Sequence, residues 1–231
     1  MQLEGKVAIV TGAARGLGRA YAEALASEGA AVVAADINDC GDTVAAMEAA
    51  GGRAVASALD VSDSDSCAAM AALAAETYGR IDILINNAAL YAGLRGARFE
   101  NLDEQQWDQV MQVNIKGTWL TSRAVVGCMR ESGDGGSIIN IASLAAVFGL
   151  PYGLDYVASK AAVIGMTRGM ARELGPDHIR VNAVAPSAVM TEGTAEFFGE
   201  KFEKAKTVIA ANQLIPRNLE TADLTGTIIY L

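Results

Sequence analysis

Short apolar runs alternate with longer stretches of helical periodicity along the whole chain. Lys6-Val7-Ala8-Ile9-Val10-Thr11, Ala31-Val32-Val33-Ala34-Ala35-Asp36, residues 53–59, Ile81-Asp82-Ile83-Leu84-Ile85, Ser137-Ile138-Ile139-Asn140-Ile141-Ala142 and residues 178–185 read as six strands. Runs this rich in Val, Ile and Ala suit strands buried on both faces, as in a parallel sheet covered by helices. Helices are predicted between them over 19–28, 39–50, 63–78, 103–129 (interrupted near Asn114) and 155–174, the last stopped by Gly175-Pro176. A lid segment over about 187–213 has helical periodicity from 192 and carries Phe197, Phe198 and Phe202; a last helix covers 221–231. Strand and helix recur every ~25 residues, the signature of a doubly wound α/β sheet. No linker or change of composition divides the chain, so 1–231 is expected to be one domain.

Composition narrows the picture. Of the 231 residues 52% are hydrophobic but only 6% aromatic, so the core is built from small aliphatic side chains. A formal charge of −9 argues against nucleic acid or an anionic membrane as partner. Cys40, Cys67 and Cys128 are far apart, and the single histidine, His178, has no neighbouring ligand type, so no metal site is expected. The first strand begins almost at Met1 and no long apolar run occurs, which predicts neither signal peptide nor membrane span. The expected location is the cytoplasm, with unpaired thiols.

Three places carry candidate chemistry. Gly12, Gly16 and Gly18 lie between the first strand and a helix, in Thr11-Gly12-Ala13-Ala14-Arg15-Gly16-Leu17-Gly18. Such a loop lets a pyrophosphate sit against helix-terminal N–H groups. Asp36, followed by Ile37, ends the second strand, where a carboxylate reads ribose hydroxyls and repels a 2′-phosphate. Arg15 offers the opposite attraction, and the balance favours NAD(H) over NADP(H). Third, Tyr156 and Lys160 are four residues apart on a predicted helix, one turn apart on one face. An ammonium there is expected to pull the phenol below its ordinary value of about 10. Ser143 lies at the end of the preceding strand. Tyr152 has no lysine four residues later, so it at most lines the pocket; His178, at a strand start, is expected to be solvated.

These segments together resemble the short-chain dehydrogenase/reductase family, whose fold is a single-domain Rossmann-type sheet. The glycine spacing Gly-x-x-x-Gly-x-Gly is the one that family uses. The resemblance implies adenine contacts from Asp60 and Val61, and an adenosine border at Asn86-Asn87-Ala88-Ala89, where the family's last residue is glycine. It implies that Asn114 holds a water near the lysine, and that Pro186, Val189 and Thr191 meet the nicotinamide, with Ser187 in place of the family's glycine. The catalytic set is then Asn114, Ser143, Tyr156 and Lys160, with Tyr156 and Lys160 also touching cofactor. A homo-oligomer, dimer or tetramer, is implied too. Members continue for about one more strand, so either the sequence is cut short, the favoured reading, or the protein lacks that strand and leaves one sheet edge exposed.

The implied reaction is NAD(H)-dependent interconversion of a secondary alcohol and a ketone, the substrate small and apolar; Pro186-Ser187 is also similar to aryl secondary-alcohol dehydrogenases. The rival is reduction of a 3-oxoacyl thioester on a carrier protein, for which Arg95 and Arg98 are the basic docking candidates. A nucleotide-binding sensor without turnover is the third reading, disfavoured because all four catalytic positions are filled.

Overall fold

The structure, a computed structural model, describes residues Met1–Leu231. Its strands are β1 (Val7–Thr11), β2 (Ala31–Asp36), β3 (Arg53–Ala58), β4 (Ile83–Asn86), β5 (Gly136–Ile141) and β6 (Ile179–Val184). All pair in parallel, in the order β3-β2-β1-β4-β5-β6. The helices before the lid are α1 (Gly16–Ser27), α2 (Gly41–Ala49), α3 (Ser64–Tyr78), α4 (Glu104–Val110), α5 (Thr118–Glu131), α6 (Ala145–Phe148) and α7 (Leu154–Leu174). The lid holds α8 (Glu192–Phe198) and α9 (Phe202–Ala211), and α10 (Ala222–Tyr230) follows. No helix is long and apolar enough to cross a membrane.

Every residue of β1 is buried, because alternate side chains enter two separate cores. Ile9 packs with Val33, Leu84 and Ile138 beneath α3 and α5, while Ala8 and Val10 join Val32, Ile85 and Ile139 beneath α1, α2 and α10. The outer strands β3 and β6 are only partly covered. Strand order reverses between β1 and β4, and that switch point opens a crevice at the carboxyl ends of the strands.

Boundaries depart from expectation where a side chain replaces a backbone partner. β4 starts at Ile83 rather than Ile81, because the buried Asp82 carboxylate takes the Val7 N–H at 2.9 Å and pairs with Lys6 and Arg80. The predicted 103–129 helix is α4 and α5 joined by a π-helical stretch, Met111–Gly117, with Asn114 inside it. The lid is broken at Gly199, whose φ of +52° stops α8 before a short 3₁₀ turn leads into α9.

A buried polar lattice ties the carboxyl ends of the strands together. Asn86 Nδ2 donates to Asn140 Oδ1 on β5 and to Ser122 Oγ on α5, both at 2.9 Å, and its Oδ1 accepts from Thr121. Asn140 Nδ2 continues the chain to Thr167 on α7. Replacing the amide by a similarly sized apolar group leaves several buried partners unpaired. Asn86→Leu is therefore expected to lower stability by about 2–4 kcal/mol. This should appear as a lower urea midpoint with an unchanged slope; an unchanged midpoint would show that the lattice contributes no net stability.

Candidate active site

A single cleft of about 650 Å³ runs along the strand ends from Asp36 to the lid. At one end lies the glycine loop. Gly12 has φ of +68°, and a Cβ there would come within 2.9 Å of the Ala88 Cα and the Asn87 amide. The loop must come this close because Asn87 Nδ2 donates to the Thr11 and Gly12 carbonyls at 3.0 and 3.2 Å. A Cβ on Gly18 would fall 2.0 Å from the Gly12 oxygen, so Gly18 is required by packing and does not itself line the cleft. Helix α1 starts at Gly16 without a side-chain cap, and Gly16 and Leu17 border the cleft. Its first N–H groups are thus left for an anion.

Asp36 sits at the edge of this loop with its carboxylate fixed by three donors. Ala14 N–H gives to Oδ2 at 3.1 Å, and Asn38 gives its N–H and side-chain amide to Oδ1 at 2.9 and 3.1 Å. A carboxylate has about four acceptor positions, so ribose hydroxyls still find one. Uncapped amides for a pyrophosphate and an anchored carboxylate for a ribose fit a nicotinamide dinucleotide. Ile37, Asp60, Val61, Asn87 and Ala88 border the same half. Asp60 also bonds the Ser62 N–H and hydroxyl at 2.9 and 2.7 Å, so it stiffens its own turn as well. Arg15 is not free to attract a phosphate: its guanidinium grips Glu196 on the lid.

The other half contains Ser143, Tyr156 and Lys160, with Pro186, Val189 and Thr191 opposite. Ser143, two residues past β5, borders this half of the cleft together with Tyr156. Burial pushes the Tyr156 phenol up to about 12, and the nearby Ser143 hydroxyl offsets only part of the rise. This corrects the expectation of a phenol lowered by lysine. The Lys160 ammonium lies 5.8 Å from the Tyr156 ring centre and donates instead to the Ile141 carbonyl at 2.7 Å. Lys160 is itself pushed down to about 8 by burial.

Asn114 is buried and is not a wall of the cleft. Its side chain accepts the Leu90 N–H at 2.7 Å and donates to the Leu90 carbonyl and to Ser159 Oγ at 3.2 and 3.0 Å. Ser159 in turn donates to the Tyr156 carbonyl, so Asn114 reaches the Tyr156 turn of α7 through one hydroxyl. Tyr152 is 64% exposed, has φ of +66° and lies outside the cleft, which removes it from the pocket lining. His178 is exposed.

Several lining residues were not singled out by sequence. Tyr91 stacks on Phe197 with centroids 4.7 Å apart and tilts against Tyr156 at 5.2 Å. Its only sequence signal was a place in the loop after Asn86-Asn87-Ala88-Ala89. Thr194, which lines the cleft, and Glu196, which holds Arg15, gave none, since polar residues on an amphipathic helix read as solvated.

The geometry of Lys160 yields a stability prediction. A folded-state pKa near 8, below the usual 10.5, means the folded chain binds this proton less tightly than the unfolded chain does. The cost of burying the ammonium is complete below that folded value and fades as pH approaches the ordinary one. Lys160→Met is therefore expected to melt a few degrees higher than the wild type near neutral pH, with the gain shrinking toward alkaline pH. Equal melting curves in both ranges would contradict the burial cost.

A family model described as short chain dehydrogenase matches residues 6–201. The chain is 38% identical to a 3-oxoacyl-(acyl-carrier-protein) reductase of Thermotoga maritima, over 100% of this chain and 92% of that protein. It is 41% identical to the D-threitol dehydrogenase of Mycolicibacterium smegmatis, over 90% and 80% respectively. Among solved structures, levodione reductase superposes with a TM-score of 0.92 at 30% identity, covering 99% of this chain and 91% of that one.

Proposed function

The chain belongs to the short-chain dehydrogenase/reductase family, and on that premise we propose an NAD(H)-dependent oxidoreductase that interconverts a secondary alcohol and a ketone. The observation that carries this reading is one continuous cleft holding an anchored Asp36 at one end and Ser143, Tyr156 and Lys160 at the other. A nicotinamide bound there supplies or accepts the hydride. The protein's own part is to place the substrate oxygen and to move one proton.

The Ser143 hydroxyl and Tyr156 phenol both line the cleft, and the substrate oxygen would lie within reach of both. In reduction Tyr156 donates its proton to that oxygen, while Ser143 fixes its direction by a hydrogen bond. Burial favours the protonated phenol, which suits the acid role. Lys160 supplies the positive charge that stabilises the phenolate left behind. In oxidation the roles reverse, and Tyr156 must start as the phenolate. Asn114 acts as a positioning residue, linking the Leu90 backbone to Ser159 and so to the Tyr156 turn.

The walls around this chemistry favour a neutral, apolar substrate: Leu90, Tyr91, Leu144, Phe148, Phe197 and Phe198. A carrier-protein thioester, the substrate named for one relative, uses the same reacting groups. Against it stand Asp36 at the cofactor's ribose corner and the setting of Arg95 and Arg98. Neither arginine lines the cleft, and Glu100, Asp103 and Glu104 follow them closely in sequence, so the stretch is net acidic.

Tyr156→Phe is expected to lower ketone reduction by about 10²–10⁴-fold while NADH still binds, measured by absorbance and by nucleotide fluorescence. Full activity in the variant would remove Tyr156 as the acid. Because the phenol is pushed up to about 12, alcohol oxidation by the wild type should climb steadily from neutral to alkaline pH. Reduction should show no such climb. An oxidation rate flat from about pH 6 to about pH 10 would mean that another group titrates.

A further inference from the structure

Only two cationic side chains line the cleft, Lys160 beside the reacting groups and Arg15 in the glycine loop. Arg15 is already engaged. Its Nη1 donates to Glu196 Oε1 and its Nη2 to Oε2 at 3.0 Å, a two-pronged grip across the cleft to lid helix α8. Glu192 on the same helix and Asp36 add negative charge around the guanidinium. Arg15 directly follows Ala14, whose N–H is held by the Asp36 carboxylate, so Arg15 and Asp36 flank one corner. The guanidinium fork that fits a carboxylate also fits a phosphate, so Glu196 and a phosphate would compete for the same donors.

We infer that Glu196 is a specificity-determining residue for the cofactor: by holding Arg15 it withholds the one side-chain cation at this corner from a 2′-phosphate. Cofactor choice then depends on two carboxylates. Asp36 repels the phosphate from the end of β2, and Glu196 on the lid neutralises the group that would attract it. This rests on reading the cleft as a dinucleotide site, and it adds a determinant on α8, 160 residues from Asp36 (196 − 36). Both side chains of the pair are about half exposed (50% and 48%), so the effect is modest in size.

The test is a binding cycle read by nucleotide fluorescence, with dissociation constants for NADPH and NADH on the wild type, Glu196→Gln, Arg15→Gln and the double variant. Glu196→Gln should improve the NADPH-to-NADH affinity ratio by about threefold, and the gain should be absent when Arg15 is also replaced. Should Asp36 keep NADPH too weak to measure, the same cycle on Asp36→Asn brings it into range. An unchanged ratio in Glu196→Gln overturns the inference, as does a gain that survives without Arg15. If the wild type prefers NADPH, the NAD(H) reading fails, while an Arg15-dependent gain would still uphold Glu196. If neither nucleotide binds any variant, the dinucleotide reading and this inference fall together.

Discussion

Thr11 Oγ1 donates to the Ile85 carbonyl at 3.2 Å and accepts the N–H groups of Asn87 and Ala88, both at 3.0 Å. One hydroxyl thus ties the end of β1 to the segment leaving β4, across the point where strand order reverses. The rest of the site hangs on that knot. It sets Asn87 against the glycine loop and directs the chain toward Leu90, where Asn114 takes over. On the far side the Asn86–Asn140–Thr167 chain carries the same anchoring into β5 and α7, the elements that deliver Ser143, Tyr156 and Lys160. A parallel sheet supplies only evenly spaced backbone bonds; these side chains are what hold the crevice at one width.

The reacting end works against the stability of its own fold. Burial disfavours the charged forms of both Tyr156 and Lys160, in opposite directions on the pH scale. Neither is relieved by the other here, since the ammonium is occupied by the Ile141 carbonyl. The lid completes the enclosure through Arg15–Glu196 at the cofactor end and Tyr91–Phe197 at the substrate end, which places one helix in contact with both halves of the cleft.

Much of this was legible in the sequence because it depends on local pattern. The order and type of the elements follow from apolar runs such as 7–10 and 31–35, which are buried on both sides. The glycine loop, Asp36 and the Tyr156–Lys160 spacing are fixed by short segments, and all three meet at one cleft. What was not legible depends on three-dimensional competition for donors. Lysine's choice of the Ile141 carbonyl over the phenol cannot be read from a four-residue spacing. The engagement of Arg15 needs a partner 181 residues away. The π-helical stretch around Asn114 was expected as an interruption, but its side chain's partners, Leu90 and Ser159, carry no pattern that a sequence displays.

The central claim is that this cleft brings a nicotinamide and a carbonyl together so that hydride passes between them while Tyr156 handles the proton. Its most direct test uses NADH deuterated at the transferable C4 position with a panel of apolar ketones, the alcohols being analysed by mass spectrometry. The account predicts one deuterium at the carbinol carbon of the alcohol formed by the wild type, and no such product from Tyr156→Phe. An alcohol formed without label, or labelled product undiminished in Tyr156→Phe, would contradict it.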